Sequence, residues 1–111
     1  MIKYLTNTFL STKVSFANEM YLICEKLGID YDKVVEYATL DDRLGVTHWN
    51  VPGPDGDYGF GGHCFPKDLQ ALLSICDYYD LDSDVLRGTV HTNNKVRKDR
   101  DWEKMKGRAV V

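Results

Sequence analysis

Residues 2 to 27 constrain the fold of this chain more than any other segment. Apolar side chains recur there at steps of three and four, and no glycine or proline interrupts them. This spacing predicts one long amphipathic helix, which Gly28 is placed to end. The apolar residues cover more than one neighbouring helix would bury, so a helix-pairing or dimer interface is expected. They are Leu5, Phe9, Val14, Phe16, Ala17, Met20, Tyr21, Ile23, Cys24 and Leu27.

The rest of the chain also reads as helical, so we predict an all-α fold: the long helix packed with three or more shorter ones. Asp30 is placed to cap a second helix that runs to residue 38. A third is predicted from about Phe65 to Tyr79, and a fourth from Asp82 or Ser83 to about residue 96. Only residues 107–111 resemble a strand. Residues 45–62 contain six glycines and two prolines, which predicts an ordered loop of functional importance.

Composition excludes several classes of partner. The chain has 111 residues, a length that predicts one domain. Its formal net charge is −3, from 14 basic and 17 acidic residues, which argues against binding nucleic acid or an anionic membrane. We see neither a membrane span nor a signal peptide, and we expect a soluble, cytoplasmic protein. Cys24, Cys64 and Cys76 form no CxxC pair, and the histidines have no metal spacing, so neither a disulfide framework nor a metal site is predicted. Cys24 and Cys76 are interpreted as small buried hydrophobic residues.

The run Gly59-Phe60-Gly61-Gly62-His63-Cys64-Phe65-Pro66-Lys67-Asp68 is the most informative motif for chemistry. It places Cys64 between a glycine loop and the start of a helix, where unpaired N–H groups and the helix dipole favour a thiolate. Asp68 lies one turn further on, so thiol and carboxylate share a face of the helix. The segment therefore predicts a reactive thiol with a carboxylate beside it.

Lys3 and Asn7 stand four residues apart at the start of the first helix and project from one face. If Cys64 attacked a carbonyl group, this ammonium and amide could stabilise the developing oxyanion, and Asp68 could position or deprotonate a water. From spacing alone, such a pair is more often the solvated end of a helix.

Four ordered motifs together resemble the central domain of the UDP-glucose/GDP-mannose dehydrogenase family, over most of the chain to about residue 95. That resemblance implies a helical fold like the C-terminal domain of 6-phosphogluconate dehydrogenase, paired as a two-fold homodimer through the long helix. The motifs are residues 3–10 (KYLTNTFL), 18–20 (NEM), 42–45 (DRLG) and 59–68 (GFGGHCFPKD).

The resemblance also implies roles for the candidate residues. In the family, NAD accepts hydride in two successive oxidations of the sugar C6 alcohol, and the second passes through a cysteine thioester. Cys64 matches the nucleophile, Lys3 and Asn7 the residues that hold the oxyanion and a water, and Asp68 the aspartate of proton transfer and thioester hydrolysis.

Substrate contacts follow from the same resemblance. Arg43 matches an arginine that reaches the nucleotide sugar of the neighbouring subunit. The loop from Trp49 and Asn50 to Phe60, Gly61 and Gly62 resembles the substrate loop, although residues 53–58 make it slightly longer than the usual form.

The sequence lacks the GxGxxG fingerprint of a dinucleotide-binding domain. We therefore interpret residues 1–106 as a central dimerisation and catalytic-cysteine domain and residues 107–111 as the first strand of a missing C-terminal domain. The N-terminal Rossmann domain is also absent, so the chain alone should bind no NAD and have no dehydrogenase activity. A non-catalytic helical scaffold, and the same chemistry on GDP-mannose or UDP-N-acetylmannosamine, remain as alternatives.

Overall fold

A computed structural model describes residues 1–104, and it contains four α-helices and one short 3-10 helix. The helices are α1 (Ile2–Leu27), α2 (Tyr31–Ala38), α3 (Cys64–Tyr78) and α4 (Asp84–Val96), followed by the 3-10 turn Asp101–Lys104. Those 104 residues contain no strand, which confirms the all-α prediction. The strand predicted at residues 107–111 lies outside the described residues.

Local sequence signals set the helix ends. Gly28 ends α1 in the left-handed region at φ 69°, and its N–H bonds back to the last turn. Asp30 caps α2, because its side chain accepts hydrogen bonds from the backbone N–H groups of Asp32 and Lys33. Helix α3 begins one residue earlier than predicted, at Cys64 itself. The predicted loop 45–62 contains no helix.

Helix α1 is the central element, and the other three helices pack against it. Its contact with α4 is small and polar: the Ser15 hydroxyl donates to the Thr89 carbonyl (2.8 Å), and the Thr89 hydroxyl donates to Thr12 (2.9 Å). Further along α1, Ala17 and Cys24 form an apolar core with Tyr31 of α2 and Val51 of the loop. Cys24 is buried as expected, but Cys76 is only partly buried.

The opposite face of α1 is unusual, because its large apolar side chains point to solvent. Phe9 is 61% exposed and Phe16 is 52% exposed, although both are predicted to be buried in an interface. The exposed apolar side chains on this face, which we call the α1 stripe, are Ile2, Leu5, Phe9, Phe16, Ile23 and Leu27; Leu22 of the same helix is exposed on another face. The stripe is the surface that the sequence assigns to helix pairing.

None of the helices in residues 1–104 is long and apolar enough to cross a membrane.

Candidate active site

Cys64 is the first residue of α3, and its side chain is exposed. His63 precedes the helix but makes no side-chain capping hydrogen bond, and its Nδ1 atom lies 4.0 Å from the Cys64 Sγ atom. The thiol therefore lies at the end of α3 where the first backbone N–H groups have no partner within the helix. Cys64 lies where the sequence predicted, between the glycine loop and the helix.

Asp68 is the centre of the polar cluster beside this helix start. Its side chain is 1% exposed, and Asn7 donates a hydrogen bond of 2.6 Å to its Oδ2 atom. The other oxygen, Oδ1, lies 4.0 Å from the Lys3 Nζ atom and 3.5 Å from the Lys67 Nζ atom. Within residues 1–104, Oδ1 accepts no hydrogen bond. The structure thus brings Lys3, Asn7 and Asp68 together, one turn along α3 from Cys64.

Lys67 is a member of this cluster that sequence reasoning missed. Its pKa is raised, first through a hydrogen bond with the Lys3 side chain and further by the electrostatic effects of Asp68 and Cys64. It therefore holds its proton firmly beside the carboxylate and the thiol. The available signal was the run Pro66-Lys67-Asp68 in the cysteine motif. A lysine next to an aspartate in the first turns of a helix can reach the ligand that the aspartate reaches.

The glycine loop before Cys64 is fixed by buried side chains from two helices. The Gly59 N–H donates to the Asn18 Oδ1 atom of α1 (3.0 Å). Asn93 of α4 bonds both backbone groups of Phe60, at 2.7 Å and 3.0 Å. The Gly62 N–H donates to the Asp101 carboxylate, at 3.0 Å and 3.1 Å. Three positions of the loop, 59, 60 and 62, therefore have assigned partners.

Arg97, just after α4, adds an ionic contact to the same loop. Its side chain is 2% exposed, and its Nη2 atom lies 2.7 Å from Asp55 and 3.7 Å from Asp101. Its Nε atom lies 3.5 Å from Asp57 and donates to the Asp99 carbonyl at 2.6 Å. The hydrogen bond from Arg97 lowers the pKa of Asp55. Burial raises the pKa of Asp57, but backbone donors at Asp99, Tyr58 and Lys98 outweigh it, so the pKa is lowered overall.

A cavity of about 560 Å³ opens beside the loop. Four of the predicted substrate residues line it: Asn50, Phe60, Gly61 and Gly62. His48 lines it too, with a left-handed backbone at φ 68° and its ring 6.0 Å from that of Phe65. A volume of this size suits a small organic ligand.

The other two predicted substrate residues lie elsewhere. Trp49 packs against the apolar core and donates its indole N–H to the Gly45 carbonyl at 2.8 Å. Arg43 is 87% exposed and forms a two-pronged pair with Asp41, whose pKa it lowers. Neither residue lines the cavity, so the structure does not bring them together with the other four.

Within residues 1–104, no three acidic, histidine or cysteine side chains form a metal site.

An all-helical domain with a glycine loop leading to a helix-initial cysteine defines a class: the helical central domain of a nucleotide-sugar dehydrogenase. The chain belongs to the UDP-glucose/GDP-mannose dehydrogenase family, and residues 1–95 match its central domain.

Several relatives support this assignment. The chain is 43% identical over 95 residues to a UDP-glucose 6-dehydrogenase from Rickettsia bellii, covering 86% of this chain and 21% of the relative. It is 41% identical over 97 residues to the UDP-glucose 6-dehydrogenase TuaD of Bacillus subtilis, covering 87% and 20%. A UDP-glucose dehydrogenase structure from Pyrobaculum islandicum superposes with a TM-score of 0.76 at 35% identity, covering 85% of this chain and 21% of that one. The chain thus spans about a fifth of the length of these relatives.

Proposed function

We propose that this chain is the catalytic-cysteine domain of an NAD-dependent UDP-glucose 6-dehydrogenase, which converts UDP-glucose to UDP-glucuronate through a cysteine thioester. One observation carries the proposal. Lys3 and Asn7 of α1 converge on the buried Asp68 of α3, the helix that begins with the exposed Cys64. Membership of the family and the names of the relatives support the choice of substrate.

Cys64 would act on the C6 aldehyde that the first oxidation produces. The thiolate forms a bond to the aldehyde carbon, and the carbonyl electron pair moves to the oxygen, which gives a thiohemiacetal. The Lys3 ammonium and an Asn7 N–H are the donors available to that oxygen. NAD would supply the hydride acceptor for the second oxidation, and Cys64 would then hold the acyl group as a thioester.

Asp68 would act in the last step. A water adds to the thioester carbon while the carboxylate accepts its proton, the C–S bond breaks, and the thiolate leaves the new carboxylic acid. The Oδ1 atom is suited to this role, because it accepts no hydrogen bond within the described part of the chain. The Lys3 and Lys67 Nζ atoms lie 4.0 Å and 3.5 Å from the same oxygen, so two positive charges neighbour the carboxylate.

We do not expect the residues that the structure describes to hold a dinucleotide. The sequence contains no GxGxxG motif, and residues 1–104 contain no β-strand from which a βαβ unit could be built. We therefore expect this chain alone, mixed with NAD and UDP-glucose, to produce no NADH. Sustained NADH absorbance would contradict that expectation.

A chimera tests the function itself. Residues 1–104 of this chain, which include Arg97 and Asp101, replace the corresponding segment of the Bacillus subtilis relative, and NADH formation from UDP-glucose is measured. We expect turnover, and we expect Cys64→Ala to stop the reaction after the first oxidation while Cys76→Ala leaves it unchanged. A chimera that folds and assembles like the parent enzyme but forms no NADH would contradict the proposal.

A second candidate function is a helical homodimer that acts as a scaffold, and the exposed α1 stripe specifically favours it. The two functions are compatible, since Arg43 is exposed and could reach the nucleotide sugar of a neighbouring subunit. The chimera distinguishes the two functions, because a pure scaffold would restore assembly without restoring the NADH formation that depends on Cys64.

A further inference from the structure

The segment that follows α4 holds the catalytic loop from a distance of about forty positions in the sequence. Arg97 contacts Asp55 and Asp57, and Asp101 accepts the N–H of Gly62, two residues before Cys64. The match to the family's central domain ends at residue 95. Neither Arg97 nor Asp101 therefore belongs to the part of the chain that the family comparison covers.

The contacts are close enough to constrain the loop backbone. A Cβ atom at Gly61 would lie only 2.1 Å from the Arg97 Nη2 atom and 2.6 Å from Asp101 Oδ1. At these distances the peptide at residue 61 is in direct contact with the Arg97 guanidinium and the Asp101 carboxylate. No larger residue fits there without movement of both side chains.

Because it is buried, the Arg97 guanidinium depends on its carboxylate partners. The Arg97 side chain is 2% exposed and faces three carboxylates, and its Nη1 atom has no hydrogen-bond partner among residues 1–104. A buried guanidinium depends on its partners, because removing one leaves an uncompensated charge. Arg97 and the loop aspartates are consequently held together as a unit.

We propose that Arg97 and Asp101 are positioning residues for Cys64: they clamp the loop 55–62 so that α3 begins at the cysteine with its first turn formed. The catalytic meaning of the clamp rests on the proposed function, whereas its effect on the loop does not. Asp101 fixes the Gly62 N–H directly, and Arg97 holds Asp101 and the loop aspartates in place. Loosening either contact should fray the first turn of α3 and reduce the reactivity of the thiol.

Hydrogen exchange of the chain tests the clamp. In Asp101→Ala and in Arg97→Met, we expect the amides of Gly59, Phe60 and Gly62 to exchange at least about tenfold faster, while α1 amides keep their rates. Asp101→Asn retains an oxygen that can accept the Gly62 N–H, so it should stay close to wild type. Arg100→Met is the matched control, since Arg100 lies in the same segment but pairs with the exposed Glu103.

Alkylation of Cys64 by iodoacetamide, followed by peptide mass spectrometry, gives the readout that loop stability alone would not change. We expect Asp101→Ala to slow the labelling of Cys64 by at least about threefold and Asp101→Asn to restore it. Arg97→Met removes a buried charge and so could fail to fold. In that case the result for Asp101→Ala tests the proposal by itself. Unchanged exchange at the three loop amides, or unchanged Cys64 labelling when they exchange faster, would overturn the proposal. Failure of the chimera to form NADH would instead bear on the proposed function.

Discussion

Gly59 and Gly56 are both left-handed, but only Gly59 is crowded. Gly59 has φ +69°, and a Cβ atom there would lie 2.2 Å from the Asn93 Oδ1 atom. Gly56 has φ +81° with nothing within 4 Å of such an atom. Substitution of Gly56 therefore reports backbone strain alone, whereas substitution of Gly59 reports backbone strain and close packing together.

We predict that Gly59→Ala destabilises the chain more than Gly56→Ala does. Gly56→Ala should cost about 1 kcal/mol through its positive φ alone, and Gly59→Ala roughly 2 to 4 kcal/mol because Asn93 must also move. Urea unfolding of both variants measures the difference. Equal losses would show that the loop does not lie tightly against α4.

Among the helices, α1 presents two faces of opposite character. The face toward α4 is small and polar, with Ser15 and Thr12 bonded to Thr89. The outer face carries Ile2, Phe9, Phe16 and Ile23 at intervals of seven residues. A heptad spacing of large apolar residues is suited to pairing with another helix.

We predict that the chain is a dimer through the α1 stripe and that Phe9→Glu converts it to a monomer, because a charge would be buried in the interface. Tyr78→Glu is the control, since Tyr78 is 82% exposed on α3, outside the stripe. Light scattering coupled to size exclusion measures the mass of each. A monomeric wild type, or a dimeric Phe9→Glu variant, would rule out this interface.

Helix α2 is connected to the loop through Tyr31, whose hydroxyl donates to the Trp49 carbonyl at 2.7 Å. Burial, with smaller effects of Asp32 and Cys24, raises the pKa of Tyr31 to about 12 from 10.0. The folded state therefore keeps a proton that the unfolded chain loses above pH 10. Stability from this group is fully present below pH 10 and is lost as the pH rises through 12.

From this we predict that Tyr31→Phe is less stable than wild type at pH 8, by about 1 kcal/mol for the lost hydrogen bond. The gap should narrow and then reverse between pH 10 and pH 12, because phenylalanine does not ionise. Urea unfolding at pH 8, 10 and 11 tests it. A gap that stays constant over this range would mean that the Tyr31 hydroxyl is not buried.

Across the whole molecule, charge ties together segments that are remote in sequence. Asp55 and Asp57 of the loop have lowered pKa values next to Arg97, which follows α4. A carboxylate with a lowered folded pKa contributes stability above its unfolded pKa and loses it as the pH falls through the folded value. The unfolded value is 3.8 for both groups.

We therefore predict that the free energy of unfolding falls as the pH drops below about 4, and that Asp57→Asn flattens this dependence. Asp42→Asn, at an exposed position, is the control. Urea unfolding between pH 7 and pH 2 measures both slopes. Identical slopes in wild type and Asp57→Asn would exclude Asp57 as a source of acid sensitivity.

The fold could be predicted from sequence wherever a local pattern determines structure. Apolar periodicity, Gly28 and Asp30 placed α1 and the start of α2, and the four-residue spacing of Lys3 and Asn7 put both on one face. The Arg97 clamp could not be predicted, because no local pattern marks Arg97 and its partners in the loop lie about forty positions away. Asn93 was missed for the same reason, because its importance comes from tertiary contacts and not from spacing.

The reactivity of Cys64 tests the central claim most directly, because the claim is that this exposed thiol at the start of α3 is the nucleophile of a catalytic site formed with the polar cluster around Asp68. Iodoacetamide labelling near neutral pH should modify Cys64 faster than Cys24 and Cys76, and Lys67→Met should slow it several-fold, since a cation beside the thiolate is lost. Lys26→Met, at the far end of α1, should leave the rate unchanged. A Cys64 labelling rate that is the same in wild type, Lys67→Met and Lys26→Met would contradict the claim that this cluster forms a catalytic site.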